Sequence, residues 1–519
     1  MLASQAETGG KSVASEKPRI FESTGLGTER LITGRRLKEK FSMATAREAS
    51  TFQVPAMSEG RRPRVVVVGG GFAGITAAQQ LGKLPVDVTL IDRSNHHTFQ
   101  PLLYQVALAV LSPADIASPI RTVLRSKRNV DVLMDQVCGF ELDRKRLQLA
   151  SGAEVQYDYL IVAAGATHSY FGHDEWEKYA PGLKTIEDAT EIRRRVLLAF
   201  ELAERQVVET GAHPPLTFVV IGGGPTGVEL AGAIAEISKY FLTRDFRHID
   251  PRRSKVLLIE GSPRILASYP EDLSRKAVEQ LNKLGVEVHT GKQVEQIKAS
   301  YVMIKGGERI DSVVTLWGAG VAASPLGKLL GVETDKRGAV LVNATLNPSG
   351  HPEIFVCGDL AHFEQDGKQV PGVAQPAMQM GRHAAEMIGQ DLKRQPRTHF
   401  RYFDKGDMAT IGRFSAVAKI EWPFKAHWGG FPAWMTWLMV HLVFIIGFRN
   451  RVAVLFQWGW TYLFYTRGSR LITGSQVLPG WDEQPGVHAP DPHGVIDGAS
   501  PAYSSGEKIA GDEQGLAKV

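Results

Sequence analysis

At 519 residues the chain is longer than one ordinary domain, and 43% apolar with 22% charged residues suits a globular protein with a sizeable core. The formal net charge of +5 is not concentrated in a basic run, which argues against a nucleic-acid binder and fits contact with an anionic membrane surface. The only two cysteines, Cys138 and Cys357, are far apart and form no C-x-x-C pair, which excludes a disulfide framework and fits a reducing compartment.

Residues 1–61 read as a disordered extension, polar and without apolar periodicity. Glu7, Glu16, Glu22, Glu29, Glu39 and Glu48 argue against a mitochondrial transit peptide, and no apolar segment suits a secretory signal. Met57, just before Arg61-Arg62-Pro63-Arg64, is an alternative start. From Val65 the pattern alternates: a strand at 65–68, a helix from Gly74, a strand at 86–91. The same unit recurs at 217–221, from Gly227, and at 255–259. This is βαβ organisation with parallel sheets, and it occurs twice.

Gly69-Gly70-Gly71-Phe72-Ala73-Gly74 matches G-x-G-x-x-G between the first strand and helix. Gly69 permits the tight turn, Gly71 lets the backbone approach a pyrophosphate, and Gly74 lets helix and strand pack closely. The helix N-terminus offers free N–H groups to the phosphates. Asp92 closes the next strand at about the 20-residue spacing of a ribose-binding acid. His96 and His97 follow. As neighbours they do not share a face and no ligand cluster accompanies them, so no metal site is expected.

Gly222-Gly223-Gly224-Pro225-Thr226-Gly227 repeats the motif, and Glu260 ends the following strand. The longer spacing comes from a polar, aromatic and basic insertion at 239–254. Glu260 can bind both ribose hydroxyls of NADH and would repel the 2′-phosphate of NADPH, although Arg264 stands close by. Glu229 is expected in the first turn of the helix, where the dipole favours a carboxylate. Two sites imply two dinucleotides, one a bound flavin and the other a diffusing nicotinamide.

Two strongly apolar runs follow, at 431–448 and 452–465, separated by Arg449-Asn450-Arg451. Trp434, Trp437, Trp458, Trp460, Tyr462 and Tyr465 crowd into them, and Arg467 and Arg470 lie beyond. The pattern is that of an interfacial anchor, and the runs read as a helical pair dipping into one leaflet. A spanning hairpin is the first alternative, against which both runs fall short of the roughly 20 apolar residues a span needs, and a buried helix pair or dimer interface is the other.

The order of the two loops resembles the two-dinucleotide-binding-domain flavoproteins, FAD first and NADH second. Tyr159-Leu160-Ile161-Val162-Ala163-Ala164-Gly165-Ala166 and Ile354-Phe355-Val356-Cys357-Gly358-Asp359 resemble the later FAD motifs of that superfamily. Its disulfide reductases and sulfide:quinone reductases need cysteines that are missing here. Two further stretches resemble the type II NADH dehydrogenases: Asn95-His96-His97-Thr98-Phe99-Gln100-Pro101-Leu102-Leu103-Tyr104-Gln105-Val106-Ala107 and Ala374-Gln375-Pro376-Ala377-Met378-Gln379-Met380-Gly381. The likeness runs from about Val65 to Ile472.

The resemblance implies two interleaved Rossmann-like domains in an α/β chain, with a discontinuous FAD domain at 62–180 and 340–400 and an NADH domain at 181–339. A small C-terminal membrane-anchoring domain at 401–473 and a disordered tail at 474–519 complete it. FAD contacts are expected from Gly69, Gly71, Phe72, Ala73, Gly74, Asp92, Gln105, Ala164, Gly165, Asp359, Ala374 and Gln375. NADH contacts are expected from Gly222, Gly224, Pro225, Thr226, Gly227, Glu229, Glu260 and Gly320. Gln375 and Gln379, one helical turn apart, are placed beside the flavin facing the quinone, and Glu229 near nicotinamide and flavin. The implied reaction is NADH:quinone reduction without proton pumping, with ubiquinone or menaquinone as acceptor and the cytoplasmic face of a bacterial inner membrane as location. A homodimer stays open. A soluble NADH oxidase or ferredoxin-type reductase, and an NADH-sensing scaffold resembling apoptosis-inducing factor, are the alternatives.

Overall fold

The computed structural model describes residues 61–464, 468–474 and 477–481. The extension at 1–60 with Met57, the anchor residues Tyr465 and Arg467, and most of the tail lie outside the described residues.

Runs of β-branched residues form the middle strands of two parallel sheets, buried on both faces. The first sheet has the order Ile354–Val356, Tyr159–Val162, Arg64–Val68, Asp87–Asp92, Val130–Met134. The second runs Val286–Thr290, Lys255–Glu260, Thr217–Ile221, Val314–Trp317. A three-stranded antiparallel meander belongs to each unit, Val137–Glu141 through Glu154–Gln156 in one and Val294–Ile297 through Glu308–Asp311 in the other.

The second unit is threaded into the first. The chain leaves the first sheet after Tyr159–Val162 and returns to it at Ile354–Val356. The outgoing segment Ala166–His168 and the returning segment Val321–Ala323 pair antiparallel, with Ala166 opposite Ala323. Two helices follow the glycine loops, Phe72–Leu81 and Pro225–Glu236. Each begins two residues earlier than expected, because Gly71 and Gly224 are the N-caps.

A third sheet, Gly406–Gly412, Ser415–Ile420 and Ala426–Gly429, is antiparallel. The helix Pro225–Glu236 lies against it so closely that a Cβ on Gly232 would stand 1.7 Å from the Ile411 carbonyl oxygen. Two helices, Phe431–Phe444 and Phe448–Phe464, complete the region. The break between them is not at Arg449-Asn450-Arg451. It falls earlier, at Gly447 with φ +92°, and Asn450 is buried inside the second helix, where its Nδ2 reaches the Ala117 carbonyl and the Ser118 hydroxyl.

The aromatic residues also differ from the anchor expectation. Trp434, Trp437 and Trp458 are buried against the body, with Trp437 edge-on to Tyr104. The outward face carries Phe431, Met435, Met439 and Val443 on one helix and Phe448, Leu455, Phe456, Trp460 and Leu463 on the other. Buried indoles supply apolar area between helices and body, and that of Trp458 also brings an N–H that finds an acceptor in Gln105. Beyond the helices, Leu478 and Trp481, in the stretch read as tail, are buried, and Arg194 Nη1 donates to the Val477 carbonyl at 2.9 Å.

Candidate active site

Each glycine of the first loop meets a different constraint. Gly69 has φ +101°, and a Cβ there would be 2.4 Å from the Ala163 carbonyl oxygen. A Cβ on Gly74 would lie 1.8 Å from the Gly69 carbonyl oxygen. A Cβ on Gly71 would meet nothing within 4 Å. The loop thus keeps open space at Gly71, in front of a helix with no acidic residue in its first turn and no side-chain cap. Its leading N–H groups remain for a phosphate.

Asp92 is locked beside this opening. Its Oδ2 accepts from the Gly70 N–H at 2.6 Å and its Oδ1 from the Ser94 N–H at 2.6 Å, leaving lone pairs for sugar hydroxyls. Buried His97 braces the loop from behind: burial lowers its pKa, so Nδ1–H of the neutral ring donates to the Gly70 carbonyl at 3.0 Å.

The second loop repeats these features. Gly222 has φ +108° and would clash with the Ala319 nitrogen, Gly227 with the Gly222 carbonyl oxygen, and Gly224 with nothing. Glu260 accepts from the Gly223 N–H at 2.5 Å and the Ser262 N–H at 2.6 Å. Arg264 is occupied elsewhere. Its guanidinium donates to the Tyr269 and Ala267 carbonyls and to the Ser274 hydroxyl, so it is held away from a 2′-phosphate role. Gly318 and Ala319 wall this loop as Ala163 and Ala164 wall the first, whereas a Cβ on Gly320, at φ +84°, would meet Phe171 and the Ser169 carbonyl instead.

The helix Ala374–Leu392 crosses Phe72–Leu81 at close range, since a Cβ on Gly381 would sit 2.2 Å from the Ala73 carbonyl oxygen. A Cβ on Gly358 would stand 3.3 Å from Ala377 Cβ and 3.6 Å from Ala73 Cβ. The turn holding Asp359 is therefore gathered with Ala73 and the start of the helix that carries Ala374 and Gln375. Gln379 is clasped by backbone: its Nε2 donates to the Phe403 carbonyl at 3.0 Å, and its Oε1 accepts from the Phe403 N–H at 2.9 Å. Gln105 is buried with its amide bound to protein, Nε2 donating to the Tyr104 hydroxyl at 2.8 Å and Oε1 accepting from Trp458 Nε1 at 2.7 Å.

Glu229 departs from its expected setting. It is the fifth residue of its helix, whose first turn holds no acid, so the dipole does not account for it. It lines a cavity of about 30 Å³ together with Tyr104, Gln105, Thr410, Arg413, Thr461 and Tyr462. Burial pushes its carboxyl up to about 8, against a lesser downward pull from the Thr410 N–H. The sequence reading missed Thr410, Arg413 and Trp458 as neighbours of this site. Trp458 carried a usable signal, a tryptophan flanked by Gln457 and Gly459 after the apolar stretch that follows Arg451.

The lone thiols take no part as a pair. Cys138 is exposed, and Cys357 is buried with its thiol pushed up by burial. Among the described residues no group of His, Cys, Asp or Glu is arranged to hold a metal ion.

Two open glycine cradles with locked carboxylates fit two dinucleotides, and the threading of one unit through the other defines a pyridine-nucleotide-linked flavoprotein reductase. The pyridine nucleotide-disulphide oxidoreductase family matches residues 63–381. A type II NADH:quinone oxidoreductase of Mycobacterium tuberculosis is 43% identical over 82% of this chain and 94% of its own length. A second one from that organism is 44% identical over 80% and 91%. The chain belongs to the type II NADH:quinone oxidoreductases. Its fold is similar to that of NDH2 from Plasmodium falciparum, solved with NADH, at TM-score 0.70 and 19% identity over 80% of this chain and all of that one. The sulfide:quinone oxidoreductase of Aquifex aeolicus shares the fold at TM-score 0.62 and 18% identity, over 79% of this chain and 96% of that one.

Proposed function

We infer that the protein oxidises NADH and reduces a membrane quinone through one bound FAD, without moving protons across the membrane. The observation that carries the reading is the pair of matching cradles in one chain that has no cysteine pair. FAD held at Gly71, Asp92 and the Asp359 turn would supply the chemistry, a two-electron relay between NADH and quinone.

The residues hold and orient. The open space at Gly71, the Asp92 carboxylate and the Asp359 turn support FAD placement there. Gly224 and Glu260 suit NADH, with the locked Arg264 favouring NADH over NADPH. Hydride transfer needs reacting atoms roughly 3–3.5 Å apart and no protein acid. Quinone reduction also consumes two protons. Glu229, mostly protonated near neutral pH, is suited to supply one. Gln375 and Gln379 are neutral amides suited to orient a quinone carbonyl without trapping charge.

The outward face of the two C-terminal helices supports attachment to a bilayer, with Phe448 82% and Leu463 74% exposed. No helix among the described residues is long and apolar enough to cross a membrane. On a bacterial inner membrane this reading puts the nucleotide side on the cytoplasmic face, where NADH is held. Anaerobic stopped flow tests the reading. NADH should bleach the flavin absorbance and a quinone analogue should restore it. A bleached flavin that reoxidises with oxygen or a small redox protein but not with quinone would overturn it.

A further inference from the structure

The hairpin between Ser415–Ile420 and Ala426–Gly429 ends in Trp422-Pro423-Phe424-Lys425. A soluble hairpin tip is ordinarily polar. This one leaves Trp422 57% and Phe424 56% exposed, a cost that needs a compensating partner.

Three contacts relate the tip to the rest of the molecule. The Phe403 ring, itself 48% exposed, meets the Trp422 ring edge-on at 6.1 Å. The backbone of Phe403 is the segment clasped by both ends of the Gln379 amide. Two residues on, Lys405 Nζ lies 6.0 Å from the ring centre of Phe444, at the end of the helix Phe431–Phe444. The tip is therefore continuous on one side with the apolar face of the C-terminal helices and on the other with the helix that carries Gln375 and Gln379. Tryptophan and phenylalanine beside exposed lysine is the composition of an interfacial membrane contact.

We propose that Trp422 and Phe424 insert into the bilayer as a second contact, separate from the helix pair, and with Phe403 form the doorway along which the hydrocarbon tail of the quinone lies between lipid and Gln379. The doorway part rests on the quinone reading above, whereas insertion of the tip does not. Two anchoring points also do what one cannot. A single helical face leaves the molecule free to rock about its axis, while a second contact joined through Phe403 to Gln379 holds the mouth of the site at the lipid surface.

Two readouts separate the parts. Quenching of tryptophan emission by brominated lipid in anionic vesicles, compared between the native chain and Trp422→Phe, reads insertion directly. The native chain should contain a quenched component that the variant lacks, and equal quenching would overturn the insertion. Steady-state turnover of the flavin-loaded Trp422→Ser/Phe424→Ser protein reads the doorway. For a long-tailed quinone embedded in vesicles KM should rise about fivefold or more with kcat kept. For a short-chain soluble quinone and for a ferricyanide acceptor both constants should stay at native values, which also shows that the variant is folded. An unchanged KM for the long-tailed quinone, or a parallel rise for the short-chain one, would overturn the doorway. If the native protein reduces no quinone at all, the functional reading fails and the quenching result still stands by itself.

Discussion

Replacing Glu229 with glutamine tests the electrostatics where the two nucleotide units meet the third sheet. Burial dominates this carboxyl and raises its pKa from 4.5 to about 8. Between those values the unfolded chain carries the group ionised and the folded chain carries it protonated. The folded state then binds the extra proton, so stability is full below the lower value and declines as pH rises, by about 1.4 kcal/mol per unit. The decline levels off above pH 8. Across the window it amounts to about 5 kcal/mol at most, and to less because solvent reaches the half-buried side chain. Glutamine keeps the shape, still accepts from Thr410 and does not ionise. Glu229→Gln should therefore match the native protein near pH 5 and exceed it by several degrees in melting temperature at pH 9. Differential scanning fluorimetry of flavin-loaded protein at a fixed scan rate measures this. Quinone turnover in the same samples should fall through about pH 8 in the native enzyme, and that limb should vanish in the variant. A melting difference independent of pH, or a native chain more stable than the variant at pH 9, would refute the account.

The two cradles make sharper chemical predictions. Gly71→Ala should fold and lose flavin, seen as an apoprotein with a near-native far-UV spectrum, whereas Gly74→Ala should cost about 3 kcal/mol through its clash with the Gly69 carbonyl. Glu260→Gln should raise NADPH use relative to NADH about tenfold in kcat/KM, because one repulsive charge near the 2′-phosphate is gone and Arg264 stays locked. Phe448→Glu/Leu463→Glu should weaken co-flotation with anionic vesicles about tenfold or more while leaving NADH-driven ferricyanide reduction intact, since both side chains point away from the body.

The cradles were legible in the chain because their constraints are backbone constraints. Gly69, Gly74, Gly222 and Gly227 have no room for a Cβ, and the strands on either side announce themselves by β-branched runs. Asp92 and Glu260 follow from strand ends at a known distance. Glu229 was legible as a position but not as an environment, since Thr410 and Arg413 arrive from the third sheet, far along the chain. Three of the tryptophans, Trp434, Trp437 and Trp458, turn inward for a related reason, while Trp460 faces outward as expected. Composition places them at an interface, but Trp437 and Trp458 face Tyr104 and Gln105, and only a three-dimensional partner decides which side of a helix is the inside. Gln379 likewise gave no hint of its clasp on Phe403, a pairing between a side chain and a distant backbone segment with no pattern of its own.

Trp458 and Gln105 join across 353 positions of sequence, and both side chains are buried. Trimming away the two C-terminal helices to make the enzyme easier to handle would therefore strip an indole donor and leave an amide and a phenol facing water. A tractable form is better obtained by repainting the outside, with serine or lysine at Phe448, Phe456 and Leu463, and leaving every indole where it is. The helix that carries part of the outward apolar face also carries the indole that holds Gln105, so only its outer coat is free to change.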